Sequence, residues 1–118
     1  MKPAAFNYVN PSSLDEVLGL LAKHGSDAKI LAGGQSLMPT LNMRLSTPSL
    51  LIDINGISNL SGIAVMDDHV RIGALTRHIE IETSKDIATH APLIASAMPL
   101  IAHPAIRNRG TIGGSIAM

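Results

Sequence analysis

The residues of this chain best suited to chemistry are glycines set beside small hydroxyl-bearing residues. They occur twice, in Ala32-Gly33-Gly34-Gln35-Ser36 and in Arg107-Asn108-Arg109-Gly110-Thr111-Ile112-Gly113-Gly114-Ser115. Glycine lacks a Cβ, so its backbone can adopt φ > 0 and approach another molecule closely. Successive backbone N–H groups in such a turn converge into a concavity that binds anions. Ser36, Thr111 and Ser115 add hydroxyl donors, and hydrogen bonds from such groups to phosphate oxygens are roughly twice as strong as neutral ones. Two loops of this kind, far apart in sequence, could hold the two halves of a pyrophosphate. Either Gly-Gly pair alone also reads as an ordinary turn.

Other reactive side chains form no comparable pattern. Arg107 and Arg109 could pair with phosphate or with a partner subunit, or serve as a solvated loop or a structural ion pair. His24, His69, His78, His90 and His103 show no ligand spacing of the H-E-x-x-H kind, and no cysteine accompanies them, so no metal site is assigned. Met38, Met43, Met66 and Met98 read as core filler, and Asp67-Asp68 as a hairpin turn. Neither G-x-G-x-x-G nor G-x-x-x-x-G-K-[ST] occurs, which leaves the Rossmann and P-loop readings unsupported.

The loops need elements to hold them. Phe6, Tyr8 and Val9 suggest an entry strand within residues 1–11, closed by Pro11. Ser13-Leu14-Asp15-Glu16 has the form of a capping box, with Glu16 reaching back to Ser13. Leu14, Val17, Leu18 and Leu21 then follow at helical spacing, and Gly25 is placed to end the helix. Lys29-Ile30-Leu31-Ala32 reads as a buried strand feeding the first loop. A short helix is expected from Met38 or Pro39 to about Leu45, and Ser49-Leu50-Leu51-Ile52-Asp53-Ile54 reads as a strand covered on both faces. This alternation argues for a small, mostly parallel α/β unit over residues 1–55.

The pattern changes over residues 56–118. Ile63-Ala64-Val65 and Val70-Arg71-Ile72 alternate around Asp67-Asp68, the signature of a hairpin. Thr76 could cap a helical segment that includes Ile79. A helix is expected from Pro92 to about Ala102, kinked or cut short by Pro99. His103-Pro104 leads into the second loop, and Ile116-Ala117-Met118 looks like the continuation of an element. A loop that binds something is normally supported on both sides, so the expectation is a fragment of a longer protein.

Composition narrows the function. Lys plus Arg number 9 and Asp plus Glu number 9, which removes the electrostatic case for a nucleic-acid or anionic-membrane partner. Aromatics are 2%, so stacking platforms for single strands are absent and aliphatic residues must build the core. The absence of cysteine excludes a disulfide framework or an iron–sulfur ligand in this chain. No apolar run approaches the ~18 residues of a membrane span, and no signal-peptide pattern opens the chain, which reads as soluble and cytoplasmic.

Ala32-Gly33-Gly34-Gln35-Ser36-Leu37 and Asn108-Arg109-Gly110-Thr111-Ile112-Gly113-Gly114-Ser115 resemble the two flavin-binding loops of the FAD-binding medium subunit of molybdenum hydroxylases. That group includes the carbon monoxide dehydrogenase medium subunit and the flavin domain of xanthine dehydrogenase. Phe6-Asn7-Tyr8, Asp53-Ile54 and Ile72-Gly73-Ala74-Leu75-Thr76 also match the pattern, and the resemblance covers essentially the whole chain. It implies the N-terminal part of a PCMH-type FAD-binding domain of α+β class. A small parallel α/β lobe would be followed by a truncated antiparallel-sheet lobe with helices, with FAD between them. By motif position, Leu31, Ala32, Gly33, Gly34, Gln35, Ser36 and Leu37, and Thr111, Ile112, Gly113, Gly114 and Ser115, would contact the cofactor, together with Ile101. Family members continue well beyond the second loop, and this sequence does not.

The resemblance further implies an electron-transfer subunit. Electrons would leave a substrate at molybdopterin in a large subunit, cross [2Fe-2S] clusters in a small subunit, and reach FAD and then an external acceptor. FAD carries its own redox chemistry, so no catalytic residue is assigned. A different flavoenzyme, such as the reductase forming UDP-N-acetylmuramate, is one alternative. A truncated module that assembles with partners without binding flavin is another.

Overall fold

The computed structural model describes residues 1–118, and the chain divides into two compact units, Met1–Ser58 and Asn59–Met118. In the first unit, β1 (Asn7–Val9), α1 (Leu14–His24), β2 (Ala28–Leu31), α2 (Leu37–Asn42) and β3 (Leu50–Asp53) alternate along the chain. The sheet order is β1-β3-β2, with both pairs parallel, and Tyr8 and Lys29 flank Leu51 in register. The central strand is continuously apolar because neighbours and coverings surround it: Leu50, Leu51 and Ile52 are buried. Val17, Ala28, Leu41 and Ile57 complete this core.

Ser13 caps α1 as its sequence suggests, accepting from the Glu16 N–H at 3.2 Å. The reciprocal half of the capping box is absent, since Glu16 Oε1 accepts from the Ser12 hydroxyl instead. The apolar face is also rotated from the expected one. Val17 is buried and Leu20 and Leu21 are half-buried, whereas Leu14 and Leu18 are 47% and 54% exposed. The expected buried strand at Lys29–Ala32 is an edge strand, and Ile30 is 41% exposed, because only β3 lies beside it.

The second unit opens with an antiparallel hairpin, β4 (Ile63–Val65) and β5 (Val70–Ile72), whose turn holds Asp67-Asp68 and is closed by Met66 N–H donating to the His69 carbonyl at 2.8 Å. Five short helices follow: α3 (His78–Glu82), α4 (Lys85–His90), α5 (Pro92–Ala97), α6 (Pro104–Arg107) and α7 (Ile112–Ala117). Ile81, Ile87 and Met98 form the core, and Ile63, Val70 and Ile72 of the hairpin pack against them. The expected helix from Pro92 stops at Ala97 and gives way to a 3₁₀ turn, Met98–Leu100, at Pro99.

Thr76 does not cap α3. Its hydroxyl is buried, donating to the Gly62 carbonyl and accepting from the Gly62 N–H, and Arg77 takes the cap position. The methionines divide as well: Met98 is core, while Met43 and Met66 are exposed. The α+β class, parallel sheet first and antiparallel sheet second, is as expected.

Candidate functional site

The first glycine loop leaves β2 at Leu31 and enters α2 at Leu37. Its anchors are carbonyls and side chains. Asn55 Nδ2 donates to the Ala32 carbonyl at 2.8 Å and to Asp53 Oδ1 at 2.7 Å. Asp53 Oδ1 also accepts the Asn55 N–H, and Asp53 Oδ2 accepts the Tyr8 hydroxyl at 2.5 Å. That hydrogen bond is the main reason the Tyr8 phenol titrates above its ordinary value. Inside the loop, Gln35 Nε2 donates to the Gly33 carbonyl at 3.1 Å, and the Gly34 carbonyl accepts from Met38 N–H at 3.0 Å. Gly34 has φ +74°, a conformation that side-chain-bearing residues rarely adopt.

The donors of this loop are left over. The N–H groups of Gly33, Gly34, Gln35, Ser36 and Leu37 make no hydrogen bond within the protein. The Ser36 hydroxyl caps nothing. A run of uncommitted N–H groups around a left-handed glycine, braced from behind through its carbonyls, has the donor set of an anion cradle. The residues present therefore fit a phosphate-bearing group.

The second loop uses its donors internally. Ile112 N–H donates to the Thr76 carbonyl at 3.1 Å and Gly113 N–H to the Ala74 carbonyl at 2.9 Å. Gly114 N–H donates to Thr111 Oγ1 at 3.1 Å, and Ser115 N–H to the Thr111 carbonyl at 3.1 Å. These residues form the first turn of α7, in which the orphan donors of Ile112, Gly113 and Gly114 are satisfied. The N–H groups of Ile112, Gly113, Gly114 and Ser115 are thus engaged within the protein, unlike those of the first loop. Thr111 is 2% exposed, and its hydroxyl serves as the N-cap rather than facing outward. Gly113 is demanded by packing, since a Cβ there would lie 2.7 Å from both the Cβ and the carbonyl oxygen of Ala74.

What this loop offers outward is one hydroxyl and an apolar wall. Ser115 is exposed, with Oγ 3.1 Å from His78 Nε2. A groove of about 390 Å³ runs beside it, lined by Val70, Ile72, Ala74, Ile112, Gly113 and Ile116. Ile101 and Ile112 are half-buried against the core of the unit.

Arg107 resolves into the structural alternative. It is buried, with Nε 3.0 Å from Glu82 Oε2 and Nη1 2.9 Å from the Ile101 carbonyl, so it holds the turn that carries Ile101. The Arg109 carbonyl accepts from the Arg77 guanidinium. His78 was missed as a partner of the second loop: it is 37 positions from Ser115, and no spacing rule connects them.

A family model described as the FAD binding domain in molybdopterin dehydrogenase matches residues 4–118. The chain is 56% identical over 117 residues to the 6-hydroxypseudooxynicotine dehydrogenase complex subunit alpha of Paenarthrobacter nicotinovorans, covering 99% of this chain and 40% of the relative. It is 47% identical over 116 residues to the caffeine dehydrogenase subunit beta of Pseudomonas sp. strain CBB1, covering 98% and 39%. Among solved structures, carbon monoxide dehydrogenase from Hydrogenophaga pseudoflava, in a form lacking the Mo-pyranopterin moiety of its molybdenum cofactor, superposes with a TM-score of 0.96. Identity there is 48%, over 99% of this chain and 41% of that one. The chain thus spans about two fifths of the length of the relatives it matches.

Proposed function

The chain belongs to the family of FAD binding domains in molybdopterin dehydrogenases, and on that premise we propose that it is part of a FAD-binding electron-transfer subunit. Residues 1–55 and 56–118 would be the first lobe and the start of the second. The subunit works in the cytoplasm beside a molybdopterin-binding large subunit and an iron–sulfur small subunit, passing electrons from the clusters to an external acceptor. Once bound, FAD supplies the redox chemistry.

The chain's own residues bind and orient the cofactor. The observation that carries this is the row of uncommitted N–H groups from Gly33 to Leu37, held by Asn55 at Ala32 and by Gln35 at Gly33. These groups take diphosphate oxygens, with the Ser36 hydroxyl beside them. In the second loop Ser115 gives a hydroxyl, while Ile101 and Ile112 give apolar contact. Thr111, Gly113 and Gly114 shape the turn that presents them.

The test is equilibrium dialysis of the purified chain against FAD, with flavin absorbance read on the protein side. A yellow protein retaining stoichiometric FAD is expected. A colourless chain that docks to partner subunits would leave it a module without flavin, and would overturn the proposal.

A further inference from the structure

His78 sits beneath the second glycine loop, and no feature of the loop's own sequence calls for it. His78 is 3% exposed. Its backbone N–H donates to the Gly110 carbonyl at 3.0 Å, and the neighbouring Arg77 bridges to Thr111, so the start of α3 is fastened to this loop. Nε2 lies 3.1 Å from Ser115 Oγ, whereas Nδ1 is buried with no hydrogen-bond partner. What faces Nδ1 is Gly110: a Cβ built there would stand 3.5 Å from Nδ1 and 3.5 Å from Cε1, so one Gly110 Cα–H points at that edge of the ring.

A C–H is a weak donor that complements a lone pair and opposes an N–H. A proton on Nδ1 would be buried without an acceptor, the arrangement that folded proteins avoid most consistently. With the proton on Nε2, the ring donates to Ser115 Oγ. That fills one acceptor position of the serine and leaves its own O–H to donate elsewhere. With the opposite tautomer, the serine proton would turn inward to Nε2 and only lone pairs would face out, which repel an anion.

We propose that His78 is a positioning residue: its Nε2–H donates to Ser115 Oγ and so aims the serine hydroxyl proton at a phosphate oxygen of the bound cofactor. The identity of that cofactor rests on the FAD reading above; the tautomer does not.

The experiment has two arms on the full chain. Proton–nitrogen NMR of the isotope-labelled protein locates the ring proton without any cofactor. A proton on Nε2 is expected, and a proton on Nδ1 overturns the proposal. FAD titrations then compare Ser115→Ala, His78→Leu, their combination and His78→Gln. Ser115→Ala and His78→Leu should each weaken FAD binding about tenfold, the loss of one charge-assisted hydrogen bond. The combined variant should bind no worse than Ser115→Ala alone, and His78→Gln, whose amide can still donate, should stay within about twofold of the parent. Additive losses, or a glutamine variant as weak as leucine, overturn it. Should His78→Leu fail to fold, the glutamine variant and the ring measurement still decide. A parent chain that binds no FAD sinks the cofactor reading, while the position of the ring proton still judges His78.

Discussion

Asn55 Nδ2 donates to the Ala32 carbonyl at 2.8 Å, and this bond ties the start of the first glycine loop to the end of β3. It directs the loop's carbonyl inward so that its N–H groups are left for a ligand. Asn55→Ala should therefore weaken FAD binding about tenfold while lowering stability by about 1 kcal/mol. FAD titration and thermal unfolding of the same preparation check both. Equal affinity in variant and parent would remove the brace from the account.

The two glycine loops respond differently to a methyl group. Gly34 sits at φ +74°, and its added Cβ would meet only the flexible ends of Leu31 and Met38, at 3.3 and 3.4 Å. Gly34→Ala should cost about 1–2 kcal/mol in backbone strain and abolish detectable FAD binding by reshaping the cradle. Gly113→Ala places its methyl against Ala74 backbone and should cost about 3 kcal/mol, at the upper end of overpacking. Its FAD affinity, measured on the fraction that remains folded, should fall less than that of Gly34→Ala.

Arg107 is an internal fastener of the second unit. Arg107→Ala leaves Glu82 and the Ile101 carbonyl without their donor, so a loss of about 3 kcal/mol is expected. Denaturant unfolding measures it. Were Arg107 a phosphate ligand instead, the variant would keep its stability and lose FAD.

Tyr8 is the sole tyrosine, and no tryptophan is present, so phenolate absorbance reports this one group. The Asp53 hydrogen bond stabilises the protonated phenol, and the folded state therefore holds its proton to higher pH than the unfolded chain. The sign follows. The contribution is present in full below the ordinary value of 10.0 and is lost as pH rises through the higher folded value. Titration of the folded chain should lie above that of the unfolded chain, and Asp53→Asn should bring the two closer. Coincident titrations in the parent would contradict the pairing.

Much of the scaffold was legible because local physics fixed it. Ser13 before a helical apolar pattern, Leu50-Leu51-Ile52 as a doubly covered strand, and Asp67-Asp68 between alternating triplets all rest on neighbours in sequence. What was not legible depends on chain order in space. Ile30 is exposed because β2 lies at the sheet edge, a consequence of the order β1-β3-β2 that periodicity does not encode. Ser84 at the start of α4 and Pro104 at N1 of α6 are further local signals, a cap serine and a first-turn proline, that mark helix starts.

The glycine motifs show the same division. Both were visible as Gly-Gly pairs, yet the sequence made them equivalent. The difference lies in where the carbonyls of Ala74 and Thr76 fall, since these consume the donors of Gly113 and Ile112. His78 under Ser115 and Glu82 beside Arg107 are likewise long-range pairs, 37 and 25 positions apart.

Amide hydrogen exchange of the chain, with and without FAD, tests the central claim most directly. The N–H groups of Gly33, Gly34, Gln35, Ser36 and Leu37 should exchange rapidly in the free chain and slow when FAD is added, while Gly113 and Gly114 are protected throughout. Unchanged rapid exchange from Gly33 to Leu37 at saturating FAD would contradict a diphosphate cradle at this loop.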